Sequence, residues 1–120
     1  MSFIHDDALD AALGVIDDAT ALHICSAEPS TYAEATSTYD LGDKSSPSFT
    51  GPVNGDTSGR KITVDAITDG SVTATDTATH WALVDGTRLL AAGSLSSSQA
   101  VTSGNTFTLT AFDIEFPDPA

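Results

Sequence analysis

Residues 79–95, THWALVDGTRLLAAGSL, constrain the fold more than any other part of the chain. Two apolar runs flank Asp85-Gly86, a dipeptide typical of type I′ hairpin turns because both central residues of that turn need positive φ. Asp69-Gly70 separates KITVDAI from SVTAT in the same way and predicts a second turn. Two hairpins in succession favour antiparallel pairing.

The last run, TFTLTAFDIEF, alternates apolar and polar residues, but its large apolar residues change face near Ala111. Such a change predicts either a bulge or a strand that crosses from one sheet to another. An aromatic residue flanked by alternating aliphatic residues stabilises strand pairs by cross-strand packing. The predicted core therefore comprises Ile24, Trp81, Leu83, Leu89 and Leu109.

Residues 1–18 predict a helix capped by Ser2, because apolar residues recur every four positions and form one stripe. These residues are Ile4, Ala8, Ala12 and Ile16, widened by Leu9 and Leu13. Residues 19–26 alternate as a first strand, and residues 60–117 predict an antiparallel β core. The expected fold is mainly β: one domain, 1–120, built as a jelly-roll-like antiparallel β-sandwich with one short N-terminal helix.

Residues 27–59 are rich in Ser, Thr, Gly and Pro and predict a long irregular arm. Loops of this length are generally functional or mobile. Four large side chains are expected to anchor the arm: Tyr32, Tyr39, Leu41 and Phe49. Within it, STYAEAT predicts one helical turn behind Ser30.

The charge balance excludes several classes of partner. The chain has 17 acidic and 4 basic residues, for a net charge of -13. Nucleic-acid affinity comes mainly from Lys and Arg, so DNA and RNA are excluded, and anionic membranes are disfavoured for the same reason. No run approaches the roughly 18 apolar residues that a membrane span needs, and we expect no signal peptide.

The reactive side chains form no recognisable catalytic motif, and we predict no enzyme, cofactor or metal site. His80 is expected to be a hydrogen-bonded strand residue, and Cys25 a small buried side chain. His5, His23 and Cys25 lack the spacing of a zinc motif, and the turn aspartates lack that of an EF-hand. Asp113 and Glu115 are the one carboxylate pair that a hydrolase could use, and this possibility remains open.

Three segments carry a resemblance to a known family: CSAEP with TYAEA, TATHWAL, and TSGNTFTLTAFDIE. With them, nearly the whole chain resembles small virion structural proteins of tailed bacteriophages and prophages of alphaproteobacteria. The resemblance implies a virion component and supplies no catalytic residues. Small β-sandwiches with an extended arm also resemble the decoration, or cement, proteins of bacteriophage capsids.

The expected function is therefore that of a decoration protein on the outer capsid surface, made in the host cytoplasm. Its expected partners are the major capsid protein and copies of itself, as a homotrimer. Contacts between subunits are expected from Tyr32, Tyr39, Leu41, Phe49, Arg60, Lys61 and Arg88, with packing on their own domain as the alternative for each. A receptor-binding or glycan-binding module of a tail fibre or baseplate is the alternative function.

Overall fold

The computed structural model describes residues 4–56 and 58–116, which form an α-helix, a π-helical turn (Glu34–Thr38) and nine strands. The helix, α1, spans Asp6–Asp17. The strands are β1 (Ala21–Cys25), β2 (Asp40–Ser45), β3 (Phe49–Asn54), β4 (Arg60–Val64), β5 (Ile67–Val72), β6 (Asp76–Val84), β7 (Leu89–Val101), β8 (Thr106–Leu109) and β9 (Phe112–Phe116).

The strands form two antiparallel sheets, so the prediction of a mainly β, sandwich-like fold with an N-terminal helix is confirmed. Six strands lie in the order β7-β6-β1-β2-β5-β8, and three in the order β3-β4-β9. The chain leaves the larger sheet after Leu109 and enters the smaller one at Phe112. Of the two alternatives predicted near Ala111, a bulge or a crossing between sheets, the structure therefore shows the crossing.

The main core lies between the two sheets and α1. Helix α1 contributes Leu13 and Ile16, and the strands contribute residues such as Leu22, Ile62 and Phe107. Of the predicted core residues, Ile24 and Leu83 are fully buried, Trp81 and Leu109 are nearly so, and Leu89 is half-buried. Complete burial of an aliphatic side chain contributes roughly 1.5–3 kcal/mol, so this layer is the main source of stability.

The outer face of the larger sheet carries a second, smaller apolar cluster. Cys25, Ala82 and Val84 lie on this face, and Ala35 of the π-helical turn covers them. Tyr32 and Tyr39 pack against the same cluster. Strand β1 and the C-terminal half of β6 are therefore covered on both faces.

The prediction of an irregular arm over residues 27–59 is wrong for much of that segment. It contains β2, β3 and the π-helical turn, and β2 pairs with both β1 and β5 inside the larger sheet. The sequence of β2, DLGDKS, shows no alternation of apolar and polar residues. Gly42 and Asp43 stand where a strand usually carries β-branched or aromatic side chains.

The two Asp-Gly predictions had different outcomes. Asp69-Gly70 lies inside β5, where Gly70 pairs with Phe107, so the predicted turn is wrong. Asp85-Gly86 does connect β6 to β7, but the turn is not type I′, because Gly86 (φ 102°) is the only residue of that loop at positive φ. The Asp85 carboxylate accepts the N–H of Arg88 at 3.0 Å and holds the loop.

Helix α1 begins later than predicted, and a different residue caps it. Nδ1 of His5 accepts the N–H of Asp7 at 3.0 Å, whereas the predicted cap, Ser2, lies outside the described residues. The buried ridge of the helix is Leu9, Leu13 and Ile16. The predicted stripe members Ile4, Ala8 and Ala12 are exposed, because the helix turns its leucines toward the sheets.

Candidate functional site

A cavity of about 540 Å³ opens between β7 and the crossover from β8 to β9, and we call it the seam cavity. It lies where β7, an edge strand of the larger sheet, approaches the segment that connects β8 of the larger sheet to β9 of the smaller sheet. Its lining combines four large apolar side chains with hydroxyl, amide and carboxylate groups: Trp81, Leu95, Leu109, Phe112, Ser94, Ser96, Ser97, Gln99, Thr108, Thr110 and Asp113, with Gly93 and Ala111.

One wall of the seam cavity is a large bulge in β7. Gln99 pairs with Ala78 and Ser94 pairs with His80, so the four residues 95–98 stand opposite the single residue Thr79. Extra residues in one strand leave the regular ladder and bend the strand. The bulge therefore separates this part of β7 from the sheet and makes room for the cavity.

The base of the cavity is aromatic. The rings of Trp81 and Phe112 lie with their centroids 4.7 Å apart and their planes tilted by 38°. Trp81 is only 9% exposed, and a Cβ atom at Gly93 would lie 2.8 Å from its Cζ2 atom. Gly93 thus lets the backbone of β7 approach the indole closely.

The polar groups of the cavity are only partly used by the protein itself. Nε2 of Gln99 donates to the backbone oxygen of Thr108 at 2.9 Å, a bond that links the two walls. Within residues 4–56 and 58–116, the structure gives no hydrogen bond to the side-chain hydroxyls of Ser96, Ser97 and Thr110. These hydroxyls are therefore able to bind water or a ligand.

Asp113 is the one charged residue that the described part of the chain contributes to the lining, and side chains of β4 hold its carboxylate. It accepts hydrogen bonds from Oγ1 of Thr63 at 2.7 Å and from Nζ of Lys61 at 3.1 Å. These bonds keep the pKa of Asp113 below its usual value, so it is a carboxylate at neutral pH. Glu115, its candidate partner in a hydrolase, accepts the backbone N–H of Asp56. The ionised Asp113 has no proton to donate, which argues against its use as a general acid.

His80 lies beside the cavity and is bonded to hydroxyl groups. Its Nδ1 lies 2.8 Å from Oγ1 of Thr79, and its Nε2 lies 3.4 Å from Oγ of Ser94. No carboxylate is among the hydrogen-bond partners that the described part of the chain offers this ring. The arrangement is that of a hydrogen-bonded strand residue.

The three residues considered as metal ligands, His5, His23 and Cys25, do not line the seam cavity. His5 caps α1, whereas Nδ1 of His23 lies 2.9 Å from Oδ1 of Asp40. Burial, together with the negative charge of Asp40, raises the pKa of the Cys25 thiol to about 12. Over the described residues, no group of three or more His, Cys, Asp or Glu side chains is arranged to hold a metal ion.

The four residues of segment 27–59 that were predicted to contact other subunits mostly pack against the rest of their own chain. Leu41 is only 5% exposed and belongs to the main core, so it is not available to a neighbouring subunit. Phe49 is half-buried against the same core. Tyr32 and Tyr39 are half-buried against the cluster around Cys25 and keep part of their surface exposed.

All four basic residues of the chain are paired with its own carboxylates. Arg60 donates to Asp10 at 2.8 Å and Lys61 to Asp56 at 2.7 Å, and these bonds raise the pKa of both cations. Lys44 pairs with Asp69, and the exposed Arg88 pairs with Asp85. Every cation is therefore neutralised locally.

Sequence reasoning missed the residues that build the seam cavity, above all Gln99, Phe112 and Gly93. Two signals were available: the serine-rich run SLSSSQ, which is unusual for a regular strand, and the change of face at Ala111. Each marks one wall. Nothing in the sequence indicates that the two walls face each other, since β7 and β8 lie at opposite ends of the larger sheet's strand order and β9 belongs to the smaller sheet.

Comparison with protein-family models, curated proteins and solved structures finds no match to this chain. Among the described residues, no helix is both long enough and apolar enough to cross a membrane.

Proposed function

We propose that this protein is a structural component of a bacteriophage virion, a decoration or cement protein that binds the outer capsid surface and stabilises contacts between capsomers. The resemblance of TATHWAL, TSGNTFTLTAFDIE and the CSAEP and TYAEA segments to small virion proteins supports a virion role. A small antiparallel β-sandwich is also the architecture that such decoration proteins commonly use.

The observation that carries the outer location is the pairing of all four cations within the chain. With Lys44, Arg60, Lys61 and Arg88 each held by a carboxylate, the net charge of -13 is expressed as an acidic surface. Such a surface is repelled by packaged DNA, because phosphate binding requires cations that are free to displace counterions. The outer face of a capsid imposes no such repulsion.

Contacts with neighbouring subunits need apolar surface that the chain does not cover. Val15 of α1 and Val53 of β3 are 42% and 46% exposed, and they lie on elements that pack together. The exposed parts of Tyr32 and Tyr39 provide a second contact region on the outer face of the larger sheet. A homotrimer bound to the major capsid protein is the assembly that this proposal predicts.

The test is to measure copy number and particle stability in purified virions. Quantitative mass spectrometry should find hundreds of copies per particle, and particles lacking the protein should still package DNA but rupture at lower temperature or under milder osmotic shock. Equal survival with and without the protein would contradict a cementing role. Finding its gene beside that of a major capsid protein would support the assignment.

A tail-fibre or baseplate module that binds a receptor or a glycan is the second candidate. The seam cavity favours it, since an aromatic base with hydroxyl and amide walls suits a polar ligand. Only a handful of copies per virion, with the gene among tail genes, would support this function over decoration.

A further inference from the structure

We propose that the seam cavity is a binding site for a neutral saccharide. The inference goes beyond the proposed function, because it assigns a ligand class to a particular site whether the chain lies on a head or on a tail. Four properties of the cavity carry it: its size, its aromatic base, its unused hydroxyl groups and its charge.

The size fits a small ligand. The volume of about 540 Å³ lies within the range of roughly 300–1,000 Å³ that is typical of small-molecule sites. Its shape is set by the backbone of the β7 bulge and by the crossover at Thr110 and Ala111, so the site exists before any ligand arrives. A preformed site loses little free energy to ordering when it binds.

The aromatic base suits one face of a sugar ring. The C–H groups on a pyranose face are weakly positive, and the face of an aromatic ring is negative, so the two attract each other. Phe112 is half-buried and Trp81 is nearly buried, and both rings line the cavity. Because the two rings contact each other, neither has to move to form this surface.

The walls suit the hydroxyl groups of a sugar. The hydroxyls of Ser96, Ser97 and Thr110 each donate one hydrogen bond and accept others. Gln99 uses its amide nitrogen on Thr108, which leaves its oxygen, Oε1, able to accept a hydrogen bond from a ligand. A ligand with several hydroxyls along its rim satisfies these groups, whereas a purely apolar ligand would leave them without water or partners.

The charge of the site selects a neutral ligand. Asp113 is the only ionised group that the described residues place in the lining, and Lys61 and Thr63 already compensate it. Among residues 4–56 and 58–116, no Lys or Arg lines the cavity to receive a phosphate, sulfate or carboxylate, and the net charge of -13 repels all three. Neutral hexoses and N-acetylhexosamines are therefore favoured over uronates and over phosphorylated or sulfated sugars.

The intact protein can be titrated directly, because Trp81 is its only tryptophan and forms part of the site. The probes are methyl glycosides of neutral hexoses and N-acetylhexosamines, with glucuronate as the anionic comparison and a neutral Ser/Thr peptide as the alternative occupant. Concentrations up to roughly 50 mM would saturate a site of millimolar affinity. We expect at least one neutral glycoside to change Trp81 emission saturably and to shift the backbone amide signals of residues 93–99 and 108–113.

Matched threonine variants locate the binding. Thr110→Val removes a hydroxyl from the cavity wall, and Thr106→Val removes one from an exposed position of β8 outside the lining. We expect the first to weaken binding at least fivefold and the second to leave it unchanged, with both melting as the wild type does. Gln99→Ala provides a second weakening variant if Thr110→Val unfolds.

Three outcomes would overturn the proposal: no saturable response to any neutral glycoside, equal weakening by both threonine variants, or tighter binding of glucuronate or of the peptide. The copy number in virions is measured independently, so failure of the saccharide site leaves the proposed decoration role standing, and the reverse also holds.

Discussion

Two glycines decide where the large aromatic side chains of this protein lie. Gly93 faces the indole of Trp81, and Gly70 faces the ring of Phe107, which is only 1% exposed. In both cases the missing Cβ lets a ring pack directly against the backbone of a neighbouring strand. Phe107 fills the centre of the main core in this way, and Trp81 closes the base of the seam cavity.

Replacing Gly70 with Ala should therefore destabilise the fold, because the new Cβ would overlap the ring of Phe107, which is buried in the main core. We expect a cost of about 1–3 kcal/mol, as for other overpacked cores. Gly14→Ala is the matched control. Its Cβ meets nothing within 4 Å in α1, so it should stabilise the protein by about 0.5–1 kcal/mol. Urea unfolding monitored by Trp81 fluorescence measures both, and a Gly70 variant as stable as the wild type would show that the ring is not confined.

At the level of elements, the sequence predicted those whose signal is local. The periodicity of α1 and the Asp85-Gly86 hairpin are carried by neighbouring residues, and the crossing near Ala111 is a change within one run. Strand β2 was missed because its burial comes from β1 and β5, which are distant from it in the chain. Strand β3 was missed because it is mostly exposed and carries no buried apolar alternation. The sequence assigns Gly70 to a turn, whereas its structural role is to make room for the ring of Phe107. That role depends on the pairing of β5 with β8, which no local pattern indicates.

The π-helical turn covers part of the outer face of the larger sheet, including Cys25. The reactivity of the Cys25 thiol therefore reports whether this turn opens. The thiol is fully buried and its pKa is about 12, so at pH 8 it should react with a thiol reagent only when the turn opens. Ala35→Asp places a charge in the buried contact and should accelerate labelling at least tenfold while the far-UV circular dichroism is retained.

Thr38→Asp, an exposed change on the same turn, is the control and should label at the wild-type rate. If Ala35→Asp and wild type label equally, Cys25 becomes accessible by unfolding of the whole domain and not by opening of this cover.

For the whole molecule, the composition predicts the net charge, but it does not predict which cations pair with which carboxylates. The net charge of -13 follows from counting residues, whereas the ion pairs Arg60 with Asp10 and Lys61 with Asp113 join positions about 50 residues apart in sequence. The seam cavity is also a property of this scale, since it requires the larger sheet to curl until β7 approaches β8. Composition therefore predicts which partners are excluded, and only the assembled fold indicates where a ligand binds.

Self-repulsion between carboxylates should make the stability of this protein increase with salt. Its ion pairs are surface pairs that contribute at most about 1 kcal/mol each, and the acidic excess is not offset by any other cation of the chain. Raising NaCl from about 10 mM to 1 M shortens the Debye length from roughly 30 Å to 3 Å, so the repulsion is screened. We expect Tm, measured by calorimetry, to rise by about 4–8 °C, which corresponds to roughly 1 kcal/mol for a domain of this size.

Asp17→Asn/Asp18→Asn should reproduce part of this gain at low salt. Both carboxylates are exposed at the C-terminal end of α1, where the helix dipole also disfavours negative charge. Because salt screens the same repulsion, the advantage of the variant over the wild type should shrink at 1 M NaCl. A Tm that falls with salt, or an advantage that salt does not reduce, would mean that the ion pairs of Arg60 and Lys61 outweigh the acidic excess and that charge does not limit the stability of the fold.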